Sequence, residues 1–113
     1  MEQETRARLD ARARVLKAMA HPSRLFIVEE LSRGERCVAE LTREIGADIS
    51  TVSKHLSILK AIGIVQDEKR GTQVFYHLRT PCVMNFFGCV ENVLRASATD
   101  QLKLISPKER SGR

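Results

Sequence analysis

One stretch of the sequence, residues 50–78, constrains the fold more than any other because it combines two different hydrophobic periodicities. Apolar residues recur at helical spacing through its first half, and Gly63 suits the left-handed residue that follows a helix. Residues 64–65 and 73–78 are typical of strands, the second with apolar residues at alternate positions. The polar link between them, residues 67–72, contains a glycine for a turn and two cations. A helix, a stop and a hairpin with a basic tip (the wing) together predict a winged helix-turn-helix.

Three shorter helices are predicted before this stretch, each with apolar residues at helical spacing. Pro22 suits the first turn of the second helix, and Gly46 suits the end of the third. A short turn then leads into the fourth helix, called the reading helix, whose N-cap is either Asp48 or Ser50. Two short helices joined by a turn that contains glycine form the helix-turn-helix pattern. We expect the first three helices over about residues 9–20, 22–32 and 38–45, and we expect residues 1–8 to fray.

A fifth helix is predicted after the wing. Thr80 suits its N-cap and Pro81 its first position, and an apolar face continues to about residue 98. A domain this small has little room to bury a second apolar face, so we expect the fifth and first helices to form a dimer interface. The alternative is that the fifth helix only closes the core of its own domain. The predicted fold is mainly α with a small β-hairpin, in one domain over residues 1–105, followed by a disordered tail over residues 106–113.

The composition is that of a small basic domain. The 113 residues are enough for one core, and 19 Lys plus Arg against 14 Asp plus Glu give a net charge of +5. This charge favours a polyanionic partner. No apolar run approaches the roughly 20 residues of a membrane span, and no secretory signal opens the sequence, so we expect a cytoplasmic protein. No Ser/His/Asp set, Gly-rich phosphate loop or HExxH motif can be assembled, so we do not expect an enzyme.

Four segments together resemble the arsenic-repressor/SmtB (ArsR/SmtB) family of winged helix-turn-helix regulators. They are HPSRL, GERCVAEL, STVSKHLSILKAIGIV and FYHL, and they occur in the family's order over about residues 12–80. The resemblance implies a homodimeric bacterial repressor that binds a palindromic operator in double-stranded DNA and releases it on a metal, metalloid or redox signal. It also implies which residues would contact DNA: Ser50, Thr51, Ser53, Lys54 and His55 on the reading helix, and Lys69 and Arg70 on the wing.

The chemistry of these side chains suits DNA. Hydroxyl groups can bind phosphates or base edges, and Lys54, Lys69 and Arg70 would supply salt-dependent phosphate contacts. A two-fold dimer would hold two reading helices about one DNA turn apart, roughly 34 Å, so that they enter successive major grooves. His55 has two interpretations: it contacts the groove, or it packs against a neighbouring helix with its ring satisfied by the backbone.

The three cysteines do not form a recognised ligand set. Cys37 matches the first cysteine of the metal box that the family carries on its third helix, but Ala39 stands at the second. The Asp-x-His and His-x-x-Glu zinc pattern of the fifth helix is absent. Cys82 and Cys89 share a helix face, but seven residues of straight helix would separate them by about 10.5 Å. One ion with metal–sulfur bonds of about 2.3 Å cannot span that distance. Either the chain unwinds near Cys82, or Cys37 or a cysteine of a second copy completes a site.

Three thiolates with no nearby histidine suit a soft, thiophilic ion. We therefore expect no permanent cofactor, and an inducer such as As(III) or Sb(III) bound through Cys37, Cys82 and Cys89. Two alternatives stay open. The protein could be a thiol redox or persulfide sensor of the same fold. It could also be a constitutive DNA-binding or protein-interaction module whose cysteines are only part of the core.

Overall fold

The computed structural model describes the backbone of residues 1–105 and the side chains of residues 1–102. Residues 1–81 form one compact unit, and a second unit begins at Cys82. The expected tail over residues 106–113 lies outside the described residues, so the proposed domain boundary stays a prediction.

Five helices lie in the predicted order, with differences at their ends. The second helix and the end of the third agree with the prediction. The expectation that residues 1–8 fray is wrong, because the first helix already begins at Gln3. This segment is rich in good helix formers, and Glu4 lies in the first turn, where a negative charge is favourable. The helices are α1 (Gln3–Met19), α2 (Pro22–Ser32), α3 (Val38–Ile45), α4 (Ile49–Ala61), which is the reading helix, and α5 (Val83–Ile105).

Helix α5 starts later and ends later than predicted. Pro81 and Cys82 lie in a turn rather than in the helix, and the carbonyl of Cys82 accepts a hydrogen bond of 3.0 Å from the backbone N–H of Asn85. The helix then continues beyond residue 98. An N-cap and a proline favour a helix start, but they do not fix it to one residue.

Three strands form one antiparallel sheet in the order β1-β3-β2, where the prediction had two strands. They are β1 (Arg36–Cys37), β2 (Val65–Arg70) and β3 (Gln73–Leu78). Strands β2 and β3 form the wing, paired from Val65 with Leu78 to Arg70 with Gln73. The polar link predicted over residues 67–72 is therefore wrong, since most of it is strand and only two residues turn. Charged side chains are tolerated in a strand whose face is exposed to solvent.

The core of the first unit contains aliphatic side chains from α2, α3, the reading helix and β2. The largest fully buried side chains are those of Ile27, Val28, Leu41, Val52, Leu56, Leu59 and Val65. The reading helix contributes three of these seven. Its orientation is therefore set by the packing of the core as well as by its own backbone.

Candidate nucleic-acid interface and cysteine sites

The start of the reading helix is fixed by Asp48. Its carboxylate accepts hydrogen bonds from the Ser50 hydroxyl (2.7 Å) and from the backbone N–H of Thr51 (2.8 Å). These hydrogen bonds, the one from Ser50 first, lower the pKa of Asp48 below its ordinary value. Of the two N-caps that the sequence allowed, Asp48 is the one observed. An ionised aspartate at this position satisfies a free backbone N–H and complements the positive end of the helix dipole.

The reading helix has one buried stripe and one exposed polar face. Val52, Leu56 and Leu59 are fully buried, as their helical spacing predicted. The opposite face carries small hydroxyls and two lysines, of which Lys60 lies at the end of the helix, so nothing bulky separates the first turns of the backbone from a groove. The exposed polar residues are Ser50, Thr51, Ser53, Lys54, Ser57 and Lys60.

His55 lies at the edge between these two faces and is half-buried. Its Nδ1 accepts a hydrogen bond of 3.1 Å from Nε of Arg24 on α2. The ring centroids of His55 and His21 are 4.5 Å apart, with the planes tilted by 47°. Burial lowers the pKa of His55, and His21 and Arg24 lower it further. The ring therefore packs against α2 through a side-chain partner, not through the backbone contact that the sequence suggested.

The two wing cations have different surroundings. Lys69 is exposed, whereas the Arg70 guanidinium donates two parallel hydrogen bonds, of 2.8 and 2.7 Å, to the carboxylate of Glu35. It donates a third, of 2.8 Å, to Glu68, and its central carbon lies 4.7 Å from the centre of the Phe75 ring. The hydrogen bonds to Glu35 and Glu68 raise the pKa of Arg70, and the hydrogen bonding from Arg70 lowers the pKa of Glu35. Bidentate pairs of this kind are the strong form of ion pair.

The end of the reading helix is joined to the wing by a second ion pair. Nζ of Lys60 lies 3.0 Å from the carboxylate of Asp67 on β2, and this contact raises the pKa of Lys60. Arg24, Glu35 and Asp67 carry no sequence signal that marks them as part of the site. Arg24 and Glu35 lie 31 and 35 residues from their partners. Asp67 lies only seven residues from Lys60, but in a polar segment that gave no signal of pairing.

Cys37 is a buried residue at the junction of β1 and α3. Its side chain is 6% exposed, and its backbone N–H donates a hydrogen bond of 2.9 Å to the carboxylate of Glu40. It pairs with Phe75 in the sheet and lines a cavity of about 310 Å³ beside Ile49 and Ser53 of the reading helix. Cys37 thus has a structural position in the first unit, with access from one small cavity.

Cys82 and Cys89 are exposed, and all three cysteines are free thiols. Cys82 lies in the turn before α5, and Cys89 lies in the second turn of that helix. Within residues 1–105, no group of three or more His, Cys, Asp or Glu could hold a metal ion.

Helices α1 and α5 each carry apolar side chains that are exposed. On α1 these are Leu9 and Leu16, which are 40% and 47% exposed. On α5 the exposed fraction reaches 64% at Val93 and 58% at Leu94. The described part of α5 also exposes Phe86, Val90 and Leu102. No helix within residues 1–105 is both long and apolar enough to cross a membrane.

Comparison with known sequences identifies bacterial regulators. The sequence profile of "Bacterial regulatory protein, arsR family" matches residues 21–67. The HTH-type transcriptional repressor SmtB of Mycobacterium tuberculosis is 44% identical over 70 residues, which are 62% of this chain and 52% of that repressor. The chain thus spans about half the length of this relative.

Two solved structures have the same fold. One is the homodimeric winged helix-turn-helix DNA-binding domain of Mb0332 from Mycobacterium bovis, described as a possible ArsR-family transcriptional regulator. It is 32% identical with a TM-score of 0.71, over 94% of each chain. The other is reduced HlyU from Vibrio cholerae, 30% identical with a TM-score of 0.70, over 81% of this chain and 97% of that one. SmtB is thus a transcriptional repressor, and Mb0332 a possible transcriptional regulator.

Proposed function

The chain belongs to the arsR family of bacterial regulatory proteins, and on this premise we propose that it is a cytoplasmic, homodimeric transcriptional repressor that binds operator DNA. The observation that carries the proposal is the two-sided reading helix. Its buried stripe anchors it in the core, and Ser50, Thr51, Ser53 and Lys54 are exposed along its other side. Residues of these types bind phosphates and base edges in the major groove. Lys69 of the wing would add a phosphate contact.

The dimer is supported by the exposed apolar side chains of α5. Phe86, Val90, Val93 and Leu94 have the spacing of one helical face. A helix with such a face is stabilised when a second surface covers it, and contiguous exposed apolar patches mark interaction sites. The Mb0332 domain, which matches over 94% of this chain, is homodimeric. We propose that α5, together with Leu9 and Leu16 of α1, covers the same surface of a second copy.

We further propose that a thiophilic ion, As(III) or Sb(III), releases the operator by binding the thiolates of Cys82 and Cys89. Both thiols are exposed, so they are accessible to a reagent in solution. The third thiolate would come from a second copy, or from Cys37 if the start of α3 opens, since Cys37 is buried. If ligation is compatible only with a dimer that cannot span both half-sites, a coupling of about 1–3 kcal/mol would weaken operator binding about 5- to 150-fold.

The test is fluorescence anisotropy of a labelled DNA duplex that the protein has selected from a random-sequence pool. Reduced protein is titrated with arsenite, and the variants are Cys82→Ser and Cys89→Ser, with Cys37→Ser for the buried thiol. Saturable DNA binding that arsenite weakens about 5- to 150-fold in the wild type but not in Cys82→Ser and Cys89→Ser would support both parts of the proposal. No specific DNA binding at any protein concentration would overturn the repressor. Unchanged release in both variants would overturn the ligand assignment alone.

A second candidate is a thiol redox or persulfide switch on the same fold. It is favoured by the exposed pair of thiols and by the similarity to HlyU of Vibrio cholerae, which was solved in a reduced state. In this case a mild oxidant or polysulfide, without metalloid, would release the DNA, and a dithiol reductant would restore binding. Unchanged DNA affinity with both arsenite and oxidant would instead indicate a constitutive DNA-binding module with structural cysteines.

A further inference from the structure

Arg24 joins three helices of the first unit through two hydrogen bonds. Its Nε donates to Nδ1 of His55 on the reading helix at 3.1 Å, and its Nη1 donates to the carbonyl of Ala18, near the end of α1, at 2.9 Å. Arg24 itself is in the first turn of α2 and is half-buried. The contact between Arg24, His55 and the Ala18 carbonyl is called the arginine joint below. One planar guanidinium thus fixes the middle of the reading helix to two other helices.

We propose that Arg24 and His55 position the reading helix for DNA, and that the arginine joint holds only while the His55 imidazole is neutral. The proposal rests on the proposed DNA-binding function. It assigns His55 to a positioning role, with no direct contact to DNA. It also gives a role to His21 and Arg24 of the HPSRL segment, which the DNA-contact set does not use.

The chemistry of the joint requires a lone pair on Nδ1 of His55. An imidazole nitrogen that accepts a hydrogen bond carries no proton, so the proton of the neutral ring is on Nε2. Protonation of the ring would put an N–H on Nδ1 directly opposite the N–H of Arg24. Two donors would then face each other, and a new positive charge would lie beside a permanent one. Both effects oppose the contact.

A second imidazole whose Nδ1 accepts a hydrogen bond, that of His21, lies beside His55. His21 caps α2, because its Nδ1 accepts a hydrogen bond of 3.1 Å from the backbone N–H of Ser23. Its centroid is 4.5 Å from that of His55. His21 and Arg24 both act against a positive charge on the His55 ring, as burial does.

The sign of the pH dependence separates the two roles of His55. A histidine that contacts phosphate is charged in the complex, so acid would strengthen DNA binding. A histidine that accepts the Arg24 hydrogen bond is neutral in the complex, so acid would weaken DNA binding. For one titrating group, the limit is about tenfold in affinity per pH unit in each subunit.

The experiment measures DNA affinity by anisotropy from about pH 8 to about pH 5.5, across the ordinary histidine pKa near 6.5, at constant ionic strength. The wild type is compared with His55→Gln, in which the amide oxygen can still accept from Arg24 but cannot titrate. His77→Gln on the wing strand is the matched control, since it removes a different histidine. We expect wild type and His77→Gln to lose affinity by at least about threefold between pH 8 and acid, and the affinity of His55→Gln, relative to its own value at pH 8, to lose this dependence.

Arg24→Lys tests the positioning role separately. Lysine keeps the charge but lacks the fork that reaches two acceptors, so we expect weaker DNA binding with an unchanged dependence on salt concentration. A wild-type affinity that rises in acid, or a His55→Gln variant with the wild-type pH profile, would overturn the proposal.

A measurement made in the absence of DNA tests the arginine joint separately from the proposed DNA-binding function. The protection of the reading-helix amides against hydrogen exchange, which is the intrinsic rate divided by the measured rate at the same pH, should fall in acid in the wild type, and less so in His55→Gln. If the wild type shows this difference but binds no DNA, the repressor function fails and the arginine joint stands. If exchange is equally affected in both proteins, the joint itself is refuted.

Discussion

The two neighbouring cations of the wing, Lys69 and Arg70, should contribute differently to the salt dependence of DNA binding. Arg70 is held by Glu35 at 2.7 and 2.8 Å and by Glu68 at 2.8 Å, so two carboxylates surround one guanidinium. The positive charge of Arg70 is therefore already compensated before DNA approaches. Lys69 is exposed and free to approach a phosphate. We expect Lys69→Ala to reduce the salt dependence and Arg70→Ala to leave it nearly unchanged.

The magnitude follows from counterion release. Each phosphate neutralised by the protein contributes about 0.9 to the slope of log affinity against log salt concentration. A dimer contains two copies of Lys69, so Lys69→Ala should make the slope shallower by about 2. Arg70→Ala should change it by less than about 0.5, because Arg70 is paired with Glu35 and Glu68 in a cluster that is already net negative and so neutralises no phosphate. Its overall affinity should still fall, since Arg70 holds the wing against Glu35.

The assay is anisotropy with the selected duplex across a series of salt concentrations, on both variants and on Lys60→Ala. Lys60 is a control because it is paired with Asp67 at 3.0 Å, so its loss should also leave the slope nearly unchanged. If Arg70→Ala makes the slope as shallow as Lys69→Ala does, Arg70 leaves Glu35 for a phosphate. The conclusion that Arg70 holds the wing against Glu35 instead of contacting DNA would then be incorrect.

Three further predictions concern stability and assembly. Leu59→Ala, at a fully buried position of the reading helix, should lower the free energy of unfolding in urea by about 2–5 kcal/mol, and Leu25→Ala, 40% exposed, by clearly less. Leu94→Glu should convert the dimer to a monomer in sedimentation, and a persisting dimer would exclude α5 from the interface. The pKa of Asp48 is lowered in the folded protein. Its N-cap should therefore stabilise the fold fully above pH 3.8, the ordinary pKa of aspartate, and lose that effect as the pH falls through the folded-state pKa. Thermal melts of Asp48→Ala and wild type should therefore converge in acid and differ at neutral pH.

The helices were predictable where a buried stripe and an end signal coincide. The second helix runs from Pro22 to Ser32 as expected, and the third ends at Gly46, which has a positive φ of 80°. The wing was harder to predict, because residues 67–70 are polar and such a composition favours a loop. Their strand is stabilised by backbone hydrogen bonds to β3. The short strand Arg36–Cys37 is likewise stabilised by pairing with β3. Two residues are too few to show a periodicity in the sequence.

The surface that we propose faces DNA was predictable only in part, because two of the residues expected on it have distant partners. Arg70 lies 35 residues from Glu35, and His55 lies 31 residues from Arg24. A single sequence gives the chemistry of these side chains but not which other side chain is adjacent. Arg70 and His55 are both of types that bind DNA, but both side chains form hydrogen bonds within the protein. Exposed Ser50, Thr51, Ser53, Lys54 and Lys69 therefore form the better-supported DNA-contact set.

The same contacts limit how a signal can release the operator. The reading helix is fixed at its start by Asp48, at its middle by Arg24 and at its end by the pair of Lys60 and Asp67. Three further side chains hold it in the core. A helix held in this way is costly to distort locally, because packed cores move between discrete arrangements rather than deform continuously. An inducer at Cys82 and Cys89 should therefore act by changing how two intact reading helices are spaced in a dimer. Acid, by contrast, would act within each copy at the arginine joint, so the two signals should weaken DNA binding independently.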